Sequence, residues 1–210
     1  MIETAFLESG ITSIAGVDEA GRGACAGPLV VAAVILKDAR SPSLHEVRDS
    51  KALTSKKREK LFDLIISESA SYSIITIQAD EIDRIGLHVA NLEGMRRAIA
   101  GLSIQPQYVL TDGYQIEGLS VPNLAVWKGD QVAITISAAS IVAKVSRDRM
   151  LRELDLQYPG YGLAGHKGYV TSSHQEAIER LGVLPIHRKD RKSTRLNSSH
   201  SSVSRMPSSA

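Results

Sequence analysis

Eight consecutive residues, Leu29 to Leu36, read LVVAAVIL, with no polar side chain and a β-branched residue at half of the positions. A run of this length, entered through Gly27-Pro28 and left at Lys37-Asp38, fits a strand buried on both faces, because a strand with one wet face would alternate. Counted from Pro28, it is far below the roughly 18 apolar residues of a membrane-spanning helix, and no charged leader with a cleavage site accompanies it. The chain must therefore cover both sides of a sheet with helices.

The neighbouring segments supply that cover. Ser13 to Asp18 predicts a first strand, joined to the apolar run through the turn signals Gly21, Gly23, Gly27 and Pro28. Ser55 is placed to cap a helix over Lys56 to Ser69, with Leu61, Phe62, Leu64 and Ile65 on its apolar face. Tyr72 to Ala79 reads as a strand, Asp80 opens a short helix, and His88 to Gly101 repeats Leu92, Met95 and Ile99 at helical spacing. Tyr108 to Leu110 and Asn123 to Trp127 are short strands, and Val132 to Gln157 is the longest helical pattern. Strands first, then strand and helix in alternation, specify a mixed α/β sheet.

With 210 residues, 43% hydrophobic and 23% charged, the chain can bury one continuous core, which excludes wholesale disorder. Aromatics are only 4%, so base-stacking platforms for single strands are excluded, and any nucleic-acid contact must rest on backbone and charge. The single cysteine, Cys25, cannot form an intrachain disulfide, and no Cys/His set has zinc spacing, which points to a reducing cytoplasm. The net charge of +2 is set by Lys192, Arg195 and Arg205, and without them it is −1, so the overall balance identifies no partner. From Ser193 the chain is Ser-dominated and without hydrophobic period. The expectation is one catalytic domain over residues 1–190 and a disordered, non-native tail over 191–210.

Three expected strands end in acids: Asp18-Glu19, Asp112 and Asp130. Gathered at one sheet edge, four carboxylates repel unless cations neutralise them, and Mg²⁺ or Mn²⁺ prefers such hard oxygen ligands. Two divalent ions roughly 4 Å apart can activate a water and stabilise the leaving oxygen of a phosphodiester. The competing reading is that strand-end acids are turn residues, which is the default for Asp112-Gly113 alone. Asp18-Glu19 is less ordinary, since adjacent strand residues face opposite ways and reach one site only where the strand is ending. Gly21-Arg22-Gly23-Ala24-Cys25-Ala26 formally matches G-x-G-x-x-A, yet a strand follows it where a dinucleotide fold needs a helix. What remains is a small-residue loop whose backbone N–H groups can approach a phosphate or sugar, with Arg22 adding charge.

These residues belong to a longer pattern. GVDEAGRGACAGPLVVAAVIL from Gly16, DSK at Asp49 to Lys51, TDG at Thr111 to Gly113, GD at Gly129-Asp130 with ISAASIVAKVSRD to Asp148, and GHKGY at Gly165 to Tyr169 together resemble ribonuclease HII. The resemblance runs in order from Ile14 to Arg188. It implies a ribonuclease H-like five-stranded mixed sheet flanked by helices, ordered 3-2-1-4-5, with a C-terminal helical segment. It further implies a monomeric metal-dependent endonuclease that cleaves RNA in RNA–DNA hybrids and nicks duplex DNA 5′ to single ribonucleotides, leaving a 3′-hydroxyl and a 5′-phosphate. The family's catalytic carboxylates, which carry the metal, fall on Asp18, Glu19, Asp112 and Asp130. Its ribonucleotide-sensing loop falls on Gly21, Arg22 and Gly23, and its companion tyrosine on Tyr169.

Physical chemistry accommodates those roles. Only the 2′-hydroxyl marks a ribonucleotide in DNA, and a close-approaching glycine loop can reach it through main-chain groups. A tyrosine can lie against the following deoxyribose, where another hydroxyl would be crowded. Lys51 and Lys144 are candidates for phosphate contact, and Ser140, Lys144 and Arg147 share one helix side. For Lys144 the alternative is an i,i+4 pair with Asp148. Lys56-Lys57-Arg58 reads as a solvated helix turn, and neither His88, His166, His174 nor Cys25 is assigned catalysis. After Pro185-Ile186-His187-Arg188 the sequence departs from the family pattern. The rival readings are a ribonuclease HIII, disfavoured by the lack of a domain before Ile14, a catalytically silent hybrid-binding module, and a dinucleotide-binding enzyme.

Overall fold

The computed structural model describes residues 2–47 and 53–189, so Lys51 and the tail from 190 onward lie outside the described residues. A short helix α1 (Ile2–Glu8) leads into β1 (Ile14–Ala20) and β2 (Leu29–Leu36). Then come α2 (Ser55–Glu68), β3 (Ser69–Ile77), α3 (Ala79–Ile85), α4 (Leu87–Ala100), β4 (Tyr108–Asp112) and β5 (Asn123–Val126). The chain continues through α5 (Gly129–Val132), α6 (Ile134–Gln157), α7 (Leu163–His166) and α8 (Ser172–Leu181). The sheet runs β3-β2-β1-β4-β5, the expected order, with β1 antiparallel to β2 and parallel to β4. None of the described helices is long and apolar enough to cross a membrane.

Every residue of β2 is buried, as its unbroken apolar run requires. On one side Ala32, Val34 and Leu36 pack with Leu61 and Ile65 of α2 and with the Ile141-Val142 stretch of α6. On the other, Val31, Ala33 and Ile35 pack with Met95, Ala98 and Ile99 of α4 and Ile82 of α3. Strand alternation thus divides one eight-residue segment between two core layers.

The element boundaries differ from expectation in informative ways. Thr54, not Ser55, caps α2, its hydroxyl accepting the Lys57 N–H at 3.3 Å. Ala79 opens α3 instead of ending β3. The long helical pattern breaks at Ala133, whose extended backbone separates α5 from α6. The break sets Asp130 in the short α5, where the Ser137 hydroxyl donates to its carbonyl at 2.6 Å.

Two unanticipated features anchor α6. Glu3 of α1 is fully buried and its Oε1 accepts both the backbone N–H and the hydroxyl of Thr135, each at 2.9 Å. It thereby supplies the cap that Ala133 cannot. Beside it, α6 lies so close to β1 that a β-carbon on Gly16 would stand 2.0 Å from the Thr135 carbonyl carbon. Because the obstacle is backbone, Gly16→Ala should destabilise the protein by about 1–3 kcal/mol. A urea unfolding midpoint unchanged from the parent would refute this account of the α6–β1 contact.

Candidate active site

The strand ends decide where the acids go. β1 is paired with β4 only as far as Val17 and Thr111, whereas its pairing with β2 continues through Asp18 and Glu19 to Ala20. The strand therefore does not stop at Asp18. What ends there is its β4 side, and through that opening Asp18 and Glu19 reach one cleft together with Asp112. The cleft, about 520 Å³, also receives Gly21, Arg22, Gly23, Ser140, Lys144 and Tyr169. Leu87, at the start of α4, is a further wall residue to which no sequence signal pointed. Asp130 is buried next to this cleft and shares an adjoining hollow with Glu19 and Asp112.

The acids are held by specific donors. Asp18 Oδ1 accepts the N–H of Glu19 at 2.7 Å, and Ser140 from α6 hydrogen-bonds the same carboxyl group. Asp112 Oδ1 accepts the Gly129 N–H at 2.8 Å, tying the end of β4 to the turn that carries Asp130. Lys128 in that turn takes a left-handed conformation with φ of 53°, uncommon for a residue with a side chain. Burial, with the charges of Glu19 and Asp112 added, holds the Asp18 carboxyl well above the usual carboxylate range, against the opposing pull of the Ser140 and Glu19 hydrogen bonds. Among the described residues no three His, Cys, Asp or Glu side chains converge into a ready-made cage. The donor set nonetheless suits a hard divalent cation, since all-oxygen ligands whose mutual repulsion already disfavours ionisation are what such an ion would relieve.

The glycine loop beside the acids is held by two buried arginines. Arg147 of α6, fully buried, donates from Nε to the Pro28 carbonyl at 2.9 Å and from its two terminal nitrogens to Lys167 at 2.8 Å and Ala26 at 3.0 Å. Arg188 donates to the carbonyl of Gly27, at 3.2 and 3.0 Å, and to that of Arg22, at 3.2 Å. Arg147 thus turns inward and ties the glycine loop to the turn carrying Tyr169, instead of facing phosphate with its helix neighbours. Gly21, with φ of +89°, must be glycine, because a β-carbon there would meet Arg147 Nε at 1.9 Å. Gly168 is equally constrained, its absent β-carbon pointing at the Ala26 carbonyl oxygen 2.2 Å away, while its own carbonyl accepts the N–H groups of Cys25 and Ala26. Tyr169 is 38% exposed, and its ring lies beside Gly23, where a β-carbon would stand 3.7 Å from it.

Several side chains around the cleft are held by neighbours. Lys144 lines the cleft, but its ammonium pairs with Asp148 at 2.7 Å, so the i,i+4 alternative is realised. Ser140 serves Asp18. Cys25, buried, lies 3.6 Å from His174 Nδ1, a neighbour that sequence spacing did not suggest. His174 in turn stacks on His166 and meets His187.

A five-stranded sheet in this order, with helices on both faces and acids at the opened strand ends, is a ribonuclease H fold. The family model for ribonuclease HII matches residues 15–196. The ribonuclease HII of Mycobacterium ulcerans is 56% identical over 188 residues, covering 90% of this chain and 79% of the relative. That of Salinispora tropica is 52% identical over 187 residues, covering 89% of this chain and 69% of the relative. Ribonuclease H2 from Pyrococcus horikoshii OT3 matches with a TM-score of 0.78 at 30% identity, over 90% of this chain and 98% of its own. Bst-RNase HIII in complex with Mn²⁺, at 20% identity and a TM-score of 0.66 over 90% of this chain and 70% of its own, shares the fold alone. The chain belongs to the ribonuclease HII family, and with it to the hydrolases.

Two outcomes follow from the buried groups. Arg147→Lys cannot reproduce the planar fork, and with three carbonyls losing their donors it should cost about 3 kcal/mol or more of stability, measured by chemical unfolding. A cost below about 1 kcal/mol would show the guanidinium to be dispensable. Burial, and next to it the neighbouring His174, lowers the His187 pKa from 6.5 to about 4. The unfolded chain then binds a proton at higher pH than the folded one, so this contribution is complete above pH 6.5 and lost as the pH falls toward 4. Unfolding midpoints should fall less steeply across that window in His187→Gln than in the parent, and parallel curves would contradict a buried neutral ring.

Proposed function

We propose that the protein is a Mg²⁺- or Mn²⁺-dependent endonuclease that cleaves the RNA strand of RNA–DNA hybrids and nicks duplex DNA 5′ to a single embedded ribonucleotide. The products would be a 3′-hydroxyl and a 5′-phosphate, and the setting a cytoplasmic monomer that begins the removal of ribonucleotides from DNA. The observation that carries this reading is the cleft itself, which gathers Asp18, Glu19 and Asp112 with the loop of Gly21, Arg22 and Gly23 and with Tyr169.

Asp18, Glu19, Asp112 and Asp130 would hold the metal. Bound there, divalent ions would supply an activated water and stabilise charge on the leaving oxygen. Ser140 and the Glu19 N–H fix the direction in which Asp18 presents its oxygens, and the Gly129 N–H does the same for Asp112. Beside the acids, main-chain groups of Gly21, Arg22 and Gly23 would meet the 2′-hydroxyl, the one group that tells a ribonucleotide from its neighbours. Tyr169 would then lie against the next sugar and favour a deoxyribose there. Neither contact reads a base, so cleavage should be indifferent to sequence. Lys144 lies where a phosphate could draw it from Asp148. The phosphate role of Lys51 rests on the DSK resemblance, and the catalytic domain is taken to span 1–190.

The test is incubation of the protein with duplex DNA carrying one ribonucleotide and, separately, with the same duplex made wholly of DNA. Nicking is expected only in the first, only with Mg²⁺ or Mn²⁺, and on the 5′ side of the ribonucleotide. Asp18→Asn should slow it by at least about a hundredfold while leaving the fold intact. Equal cutting of the all-DNA duplex, cutting that survives EDTA, or a nick on the 3′ side would overturn the reading.

A further inference from the structure

Beneath the Tyr169 turn lie three histidine rings that the reaction does not use. His174, fully buried on α8, stacks on His166 with ring centres 4.1 Å apart. Its Nε2 is 3.1 Å from Nε2 of His187, itself 2% exposed. Its Nδ1 is 3.0 Å from the carbonyl oxygen of Tyr169.

The hydrogen bonds around these rings settle where their protons sit. The Tyr169 carbonyl oxygen, 3.0 Å from His174 Nδ1, can only accept, so the proton of a neutral His174 is on Nδ1 and its Nε2 is bare. His187 must then donate from Nε2 to that nitrogen, which leaves its own Nδ1, 2.9 Å from the Leu184 nitrogen and 3.3 Å from the Leu184 carbonyl oxygen, to accept the N–H. The adjacent ring obeys the same logic. His166 Nδ1 accepts from the Gly168 N–H at 3.2 Å, and its Nε2 donates to the Tyr161 carbonyl at 2.7 Å. Burial lowers the pKa of both His174 and His187, which keeps both rings neutral, as this order demands.

We infer that His174 is a positioning residue for Tyr169: a polarised chain from the Leu184 N–H through His187 and His174 to the Tyr169 carbonyl fixes the turn that holds the tyrosine against the glycine loop, and so sets the preference for a ribonucleotide followed by DNA. The inference rests on the reading of Tyr169 given above. Each residue in the turn is held from below. Gly168 is bonded to the loop at Cys25 and Ala26, Lys167 to Arg147, and Tyr169 to His174. The tyrosine's N–H also bonds the His166 carbonyl at 3.0 Å and its ring lies 5.6 Å from the Arg147 guanidinium, but the His174 bond is the side-chain hold on its carbonyl, so a change in that donor shifts the turn without touching the carboxylates.

Two substitutions separate this role from simple filling of space. Asn at position 174 places its amide nitrogen where Nδ1 stands and keeps a donor for Tyr169. Gln reaches the Nε2 position and keeps a partner for His187, but offers Tyr169 nothing. The measurement is the ratio of kcat/KM for a duplex with one embedded ribonucleotide to that for an all-RNA strand hybridised to DNA. Tyr169→Ala serves as the reference, and melting curves confirm that each variant is folded. Tyr169→Ala and His174→Gln should both lower the ratio by about tenfold or more, while His174→Asn stays within about twofold of the parent. If His174→Gln does not fold, His187→Asn, which spares the Leu184 acceptor and removes the donor to His174, should shift the ratio the same way. A shifted Tyr169→Ala beside His174 variants that lose, or keep, the preference alike overturns the inference alone. A Tyr169→Ala protein with the parent's ratio overturns the reading of the tyrosine and the inference with it.

Discussion

Everything in the cleft is referred to one helix lying against one strand. α6 approaches β1 until no β-carbon fits on Gly16, and that closeness brings Ser140 to Asp18 on the same strand. Two turns further along, Arg147 reaches under the glycine loop. Just before its start, the α5 corner delivers Asp130. A shift of α6 by an ångström would move the carboxylate wall and the loop wall relative to one another, and Glu3, by capping the helix from another element, resists that shift.

The two walls are built on opposite principles. The loop wall is over-determined: Arg147 and Arg188 make six hydrogen bonds to the five carbonyls of Arg22, Ala26, Gly27, Pro28 and Lys167, so the main chain is held before any substrate arrives. Carbonyl dipoles offset much of the desolvation of both guanidiniums, with the Asp148 charge also acting on Arg147. The carboxylates repel one another: buried Asp18 meets the charges of Glu19 and Asp112 where β1 loses its β4 partner, a repulsion that a divalent cation would relieve.

Much of this was legible in the sequence, for identifiable reasons. The unbroken apolar run fixed β2 to the residue, since eight buried positions leave no alternation to misread, and the sheet order followed from the resemblance. The strand-end acids stood out because adjacent Asp18 and Glu19 make poor sense inside a strand that is paired on both sides. The illegible parts are long-range. Nothing local to Arg147 says that it points inward, because its partners lie some 120 residues earlier and 20 later. The Glu3–Thr135 cap spans 132 residues, and the histidine chain joins three separated segments. Lys144 reads first as a phosphate contact with the Asp148 pair as its alternative; the structure shows that pair in the cleft, and the phosphate role is a proposal.

The central claim is that the strand-end acids act as one divalent-cation site. Its most direct measurement is Mn²⁺ binding by calorimetry and electron paramagnetic resonance, in the absence of substrate, for the parent and for Asp18→Asn and Asp112→Asn. The account predicts saturable binding in the parent, competed by Mg²⁺ and weakened by at least about tenfold in each variant, because either change removes both a ligand and the repulsion that the ion relieves. Binding of equal strength in all three proteins would contradict it.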